Sequence, residues 1–252
     1  MKTAIITGAS VGLGSEFALQ LRDYFPEIGR VWLIARREDR LRELAQRLEG
    51  LETVLVPLDL CDKAAFDALA DKLAAEKPDV RLLINNAGCG YLGNVGQGDW
   101  QTQARMTDLN VTALTAVTHM VVPYMSRGGR IINMSSIASF CPNARMTVYS
   151  STKAYVSSFS RGLGVELKEQ GITVTAVCPG PMDTEFIAKG GIKGNSPMFA
   201  TLPFSDPAKV AAGALTAAKE GKAVYTHKAL FKLYRVLAKL LPHAIVAPLG
   251  KC

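Results

Sequence analysis

The sequence predicts an α/β fold: one doubly wound parallel sheet of about seven strands, with helices on both faces. Three observations carry that expectation. Short runs rich in Val, Ile and Leu alternate with longer amphipathic stretches along the 252 residues. The short runs are continuously apolar rather than alternating, the pattern of strands covered on both sides. Their regular succession with helical patterns calls for right-handed crossovers, and so for parallel neighbours.

Taken in chain order, the strand-like runs are 3–7, 30–35, 53–57, 81–85, 129–134 and 173–178, with 223–226 as a seventh. Helical periodicity covers 13–24, 39–48, 63–76, 107–125, 148–169 and 207–220. No repeat, low-complexity stretch or linker interrupts this order. Residues 1–226 are therefore expected to form one domain. Residues 227–252 are expected to be a basic amphipathic extension and not an independent domain.

Composition excludes several classes. Hydrophobic residues make up 48% and charged residues 20%, which supplies a core and argues against a disordered chain. No apolar run approaches the 18 or more residues of a membrane span. The opening MKTAIITGAS is too short in its apolar part for a secretory leader. Five cysteines, at 61, 89, 141, 178 and 252, form no C-x-x-C pair, so a reducing, cytoplasmic setting is expected. Histidines at 119, 227 and 243 bear no ligand-like spacing to them, and no metal site is expected. The net charge of +7 is uneven: from Lys219 onward there are seven Lys/Arg and one acid, against 22 and 21 before it. The basic pI near 9.2 thus describes the tail. The main fold offers no basic, aromatic-bearing face for nucleic acid.

Chemistry concentrates at strand ends. The first strand runs into Thr7-Gly-Ala-Ser-Val-Gly-Leu-Gly14 and then a helix. Gly8, Gly12 and Gly14, with Ser10 and Leu13 between them, suit a tight turn that lets a pyrophosphate approach helix-terminal N–H groups. A plain strand-to-helix turn is the alternative. The second strand ends Ala35-Arg36-Arg37. An acid there would bind the 2′-hydroxyl of NAD, whereas guanidinium groups match the 2′-phosphate of NADP, so NADP(H) is the expected cofactor and Arg36 the stronger candidate of the two. A solvated start to the next helix is the alternative. Asp59, followed by Leu60, ends the third strand and could accept from an adenine amino group or cap the next helix. Asn86, Ala87 and Gly88 give the fourth strand a small, polar end. Asn110 lies inside a helical pattern, where it either meets solvent or bends the helix.

Tyr149 and Lys153 stand four apart in YSSTK, so phenol and ammonium share one helix face. A neighbouring cation favours phenolate, and a lowered phenol pKa would suit proton exchange with an alcohol or ketone. Ser136 lies thirteen residues before Tyr149.

In this order TGASVGLG, ARR, NNAG, Asn110, Ser136, Tyr149-x-x-x-Lys153 and Pro179-Gly-Pro-Met-Asp-Thr184 resemble the short-chain dehydrogenase/reductase superfamily over about residues 3–226. The resemblance implies a Rossmann-type fold and hydride transfer between NADP(H) and a carbonyl or secondary alcohol. It implies that Tyr149 donates and accepts the proton, that Lys153 lowers its pKa and holds the nicotinamide ribose, that Ser136 bonds the substrate oxygen, and that Asn110 holds a relay water. Tyr149, Lys153, Pro179, Gly180, Met182 and Thr184 would also bind the cofactor, Thr184 at the nicotinamide carboxamide. Homodimers or homotetramers built on the helices carrying Asn110 and Tyr149 are implied as well. A regulator that binds NADP(H) without turnover is an alternative. So is a 3-oxoacyl-carrier-protein reductase, although the Asp-Gly-Gly ending common there is missing.

Substrate walls are expected from Phe186, Ile187, Met198, Phe199 and Leu202 on one side, and from Ile137, Ala138, Phe140, Cys141 and Met146 on the other. Both sets suggest a lipophilic small molecule, with plain core packing as the competing reading. In the tail, Lys228, Lys232, Arg235 and Lys239 form one helical stripe; Leu230, Leu233, Tyr234, Leu237 and Leu241 form another face. Docking on the body is favoured over contact with a membrane surface.

Overall fold

The computed structural model describes residues 1–191, 201–242, 244 and 246. Seven strands form one sheet: β1 (Lys2–Thr7), β2 (Arg30–Ala35), β3 (Glu52–Pro57), β4 (Asp79–Asn85), β5 (Met125–Met134), β6 (Thr173–Val177) and β7 (Val224–Tyr225). Their order is β3-β2-β1-β4-β5-β6-β7, and every pairing is parallel. The helices are α1 (Leu13–Leu19), α2 (Leu21–Tyr24), α3 (Glu38–Ala45), α4 (Lys63–Glu76), α5 (Trp100–Thr107), α6 (Leu114–Val121), α7 (Thr147–Glu166), α8 (Glu185–Lys189), α9 (Pro207–Lys219) and α10 (Ala229–Leu240).

Successive strand residues point to opposite faces, so a continuously apolar strand feeds two cores. Ile6 and Leu33 join Phe17, Leu41 and Ala211 under α1, α3 and α9. Their neighbours Ile5 and Trp32 join Leu69, Leu83 and Val117 under α4 and α6. After β3 the chain crosses to the other side of β1, and the carboxyl ends of β1 and β4 part at that switch, where open α/β sheets bind ligands.

Three helices differ from expectation. The helix expected over 13–24 breaks at Gln20, whose φ of −94° and ψ of 1° leave the helical region. The one expected over 107–125 starts earlier, at Trp100, because the Asp99 carboxylate accepts from the Gln101 and Thr102 N–H groups and caps it. That helix also carries a π turn, Asp108–Ala113, around Asn110. The tail helix α10 is present, but it docks by Phe231 and Ala238, which are buried, and by Tyr234, whose ring lies 5.8 Å from that of Phe140. The expected face of Leu230, Leu233, Leu237 and Leu241 stays largely open.

Candidate active site

At the switch, Gly8 and Gly12 have φ of 65° and 58°, which side-chain-bearing residues rarely adopt. A Cβ on Gly8 would come within 2.8 Å of the Ala87 Cα, and one on Gly14 would run into the Gly8 carbonyl. The turn is therefore drawn tight against the end of β4. Thr7 makes the joint: its Oγ1 accepts from the N–H groups of Asn86 and Ala87, each at 3.0 Å. The Asn86 amide returns two bonds, donating to the carbonyls of Thr7 at 3.2 Å and Gly8 at 3.1 Å.

Beyond the end of β2, Arg36 stands half in solvent with Nη1 3.8 Å from the Asp59 carboxylate. Arg105, from α5, lies closer to the same carboxylate, at 2.7 Å. Burial works to raise the Asp59 pKa, but the Cys61 N–H and the Arg105 guanidinium outweigh it and hold the carboxyl below its ordinary value. Arg37 makes two bonds to Glu185, at 3.1 and 3.4 Å, tying β2 to α8. Arg105 and Glu185 escaped the sequence analysis as site residues. For Arg105 the missing signal was the Asp99 cap, which reveals the helix that carries it.

A continuous cleft of about 790 Å³ runs from this end past Gly8 and Gly12 to Tyr149. Ser136, Tyr149 and Lys153 share its deep wall, and all three are buried. Lys153 and Ser136 are fastened to the same strand end. The Lys153 Nζ donates to the Met134 carbonyl at 2.8 Å, and the Ser135 hydroxyl donates to the Lys153 carbonyl at 2.9 Å. Lys153 Nζ sits 5.7 Å from the Tyr149 ring centre. Burial dominates the titration of both groups. It pushes the Tyr149 phenol up to about 12, against the pull of the Ser136 hydroxyl, and brings the Lys153 ammonium down to about 8. The direction is opposite to the acidic phenol expected from the Y-x-x-x-K spacing, because burial of the phenol is the largest influence on it.

Asn110 is buried behind the cleft wall. Its Nδ2 donates to the Cys89 carbonyl at 2.9 Å and to Thr152 Oγ1 at 3.0 Å, while its Oδ1 accepts from the Cys89 N–H at 2.9 Å. The π turn widens the helix at this point and aims the amide at the chain following β4. A Cβ on Gly88 would lie 3.0 Å from Asn110 Oδ1 and 3.4 Å from Lys153 Nζ, so glycine keeps that corner open.

Most of the expected cofactor residues line the cleft: Gly8, Ser10, Gly12, Leu13, Arg36, Arg37, Asp59, Leu60, Asn86, Ala87, Gly88, Pro179, Gly180, Met182 and Thr184. Gly14 and Asn110 do not; both act from behind, through packing and hydrogen bonds. Thr184 reaches across to Gly12, 3.5 Å from where a Cβ would stand there. Of the expected substrate walls, Ile137, Ala138, Met146, Phe186, Ile187 and Leu202 face the cleft, and the Phe186 ring lies 5.7 Å from that of Tyr149. Phe140 and Cys141 do not: they turn away and hold α10, packing with Tyr234 and Ala238. Met198 and Phe199 lie outside the described residues. Leu230, Tyr234, Leu237 and Leu241 of the tail complete the mouth.

Residues 2–191 match the family model described as short chain dehydrogenase. Serine 3-dehydrogenase of Agrobacterium fabrum is 36% identical over 190 residues, 73% of this chain and 73% of its own. Sulfoacetaldehyde reductase 2 of Chromohalobacter salexigens is 35% identical over 191 residues, 72% of this chain and 73% of its own. Among solved structures, a short-chain dehydrogenase from Sphingobium yanoikuyae in complex with NADPH superposes with a TM-score of 0.79 at 30% identity, covering 97% of this chain and 98% of that one. The bulky-bulky ketone specific alcohol dehydrogenase from Comamonas testosteroni gives 0.75 at 28% identity, covering 97% and 96%.

Proposed function

The chain belongs to the short-chain dehydrogenase family, and from that premise we propose that it is an NADP(H)-dependent oxidoreductase that reduces a lipophilic ketone, with Tyr149 as the proton donor. The observation that carries this reading is the convergence of the Tyr149 phenol, the Ser136 hydroxyl and the Lys153 ammonium on one wall of a cleft that begins at a glycine cradle.

The residues fit a dinucleotide. Gly8, Gly12 and Gly88 leave room where any Cβ would meet backbone, Thr184 or Asn110. The N–H groups at the start of α1 suit a pyrophosphate, and Arg36 offers a guanidinium to a 2′-phosphate. Bound NADPH supplies the hydride. The chain's own groups then handle the oxygen. Ser136 Oγ and the phenol O–H of Tyr149 would donate to the substrate carbonyl, where negative charge grows. A phenol pushed up to about 12 keeps its proton at neutral pH, as a donor for reduction must. Lys153, anchored on Met134, has donors left for the cleft and sets the local charge. Asn110 orders the turn at Cys89 and so acts as a positioning residue.

Carbon-rich walls support the lipophilic substrate: Leu92, Met106, Met146 and Ile187 pack around Tyr149, with Phe186 against them. The enzyme named for bulky ketones is similar over 96% of its length, and the serine and sulfoacetaldehyde enzymes over 73% of theirs. Assembly into dimers or tetramers through α7 is part of the proposal, supported by the stacked, partly exposed Tyr155 and Phe159 on its outer face. A cytoplasmic setting is also part of it, supported by the free thiols of Cys61, Cys89, Cys141 and Cys178. None of the described helices is long and apolar enough to cross a membrane.

The test is consumption of NADPH by wild type and by Tyr149→Phe over a panel of lipophilic ketones. Wild-type turnover is expected, with a loss of about 10²-fold or more in the variant while NADPH still binds. Cofactor binding without turnover of any ketone would favour a regulator and overturn the proposal.

A further inference from the structure

We propose that the outer face of α10 docks this protein on an anionic lipid surface, with the mouth of the cleft turned toward the bilayer. The helix carries three distinct strips. Phe231, Tyr234 and Ala238 fasten it to the body, Phe231 against Gly180 and Tyr234 against Phe140. Leu230, Leu237 and Leu241 border the cleft mouth. The third strip lies beside the mouth-bordering leucines and faces away from the body: Leu233 is 57% exposed, Val236 50% and Leu240 73%. At 100° per residue these three fall within one narrow arc, and Lys228, Lys232, Arg235 and Lys239 form the arc directly beside them.

Charge selects the partner. The sequence holds no acid after Glu220. Among the described residues, the three cations nearest the ridge, Lys232, Arg235 and Lys239, have neither an acidic partner within salt-bridge reach nor a side-chain hydrogen bond of their own, whereas Lys228 donates to the Phe204 carbonyl at 2.7 Å. An exposed leucine ridge flanked by unneutralised cations is the make-up of a helix lying in a lipid interface, apolar side in the acyl boundary and cations at the headgroups. A second copy of this chain is the poorer occupant, because pairing two such helices brings the cationic strips together. The helix is already held on the body by its buried strip, so docking needs no refolding. It also sets the apolar cleft mouth beside the acyl boundary, where a lipophilic molecule would be found. Docking itself does not depend on the oxidoreductase reading.

Co-sedimentation with vesicles of neutral phosphatidylcholine, and with the same lipid containing phosphatidylglycerol, tests this on the full chain. Wild type is expected to bind the anionic vesicles and not the neutral ones, and to be released as salt is raised. Lys232→Glu combined with Lys239→Glu is expected to weaken binding by at least about 25-fold, at about fivefold per cation. Leu233→Ser combined with Leu240→Ser is expected to abolish it. Both variants alter exposed side chains outside the cleft, and retained NADPH binding verifies the fold. Absence of wild-type binding, or binding that ignores lipid charge and the lysine changes, would overturn the proposal. A leucine variant that falls from oligomer to monomer in light scattering, with no vesicle binding by wild type, would assign the ridge to a second copy and overturn it too.

Discussion

The ring of Phe231 fills the space that any side chain at position 180 would need. Phe231 is fully buried and belongs to the tail helix, whereas Gly180 belongs to the Pro-Gly bend that borders the cleft. The tail is thereby keyed into the domain at the site itself, and the absence of one side chain is the keyhole.

Replacing Gly180 with Ala is therefore expected to expel the ring and lower stability by about 1–3 kcal/mol, the usual cost of overpacking. Adding Phe231→Ala should recover part of that loss. Thermal unfolding of the two single variants and the double variant measures the coupling, and purely additive effects would show that the two residues do not share the space.

Arg36→Asp is expected to weaken NADPH binding by about 10–100-fold, the worth of a charged hydrogen bond, while leaving NADH nearly unaffected. Titration with both cofactors measures this. Equal loss for the two would show that Arg36 does not read the 2′-phosphate.

Stability should depend on pH through Lys153. Burial lowers its pKa from 10.5 to about 8. Between these values the unfolded chain holds a proton that the folded chain has lost, so this group favours folding increasingly as pH rises. Tyr149 has the opposite sign, and only at higher pH: with its pKa raised from 10 to about 12, the folded chain keeps a proton that the unfolded chain loses. Lys153→Met, which removes the buried charge, should gain most relative to wild type near neutral pH. Its relative advantage should shrink between about pH 8 and 10.5. Denaturant titrations at several pH values measure the difference, and a constant gap would contradict the burial argument.

Asn110→Ala is expected to cost about 1–3 kcal/mol, since it removes the partner of the Cys89 N–H and carbonyl in a part-buried place. Activity should fall with it, because Cys89 and Gly88 border the cleft. Hydrogen exchange at the Cys89 amide reports the local opening, and unchanged protection would separate Asn110 from that turn.

Much of this architecture is legible in the chain. Strands such as Ala4–Ile6 and Trp32–Ile34 announce themselves because burial on two faces leaves no polar position, and Gly8 and Gly12 mark a turn that only glycine tolerates. Helix α5 is hidden because it buries only Met106 and so shows no apolar stripe. The π turn at Asn110 is hidden as well, since one inserted residue barely disturbs the helical pattern. The pKa of Tyr149 is beyond sequence for a different reason: Lys153 is visible beside it, but the burial that raises the phenol comes with packing against Leu92, Met106 and Ile187, which are distant in the chain. In the tail the conspicuous leucines suggest the docking face, yet the single Phe231 has the shape that fits the bend.

The fastening of Lys153 to Met134, and of Ser135 to the backbone of Lys153, has a consequence for how such a protein can change over generations. These two bonds fix Lys153 to the end of β5 by backbone carbonyls, and neither of them involves a side chain of α8 or α10. Drift in those outer segments can reshape what enters while the working parts keep their alignment, which gives selection a way to retarget the catalyst without rebuilding it.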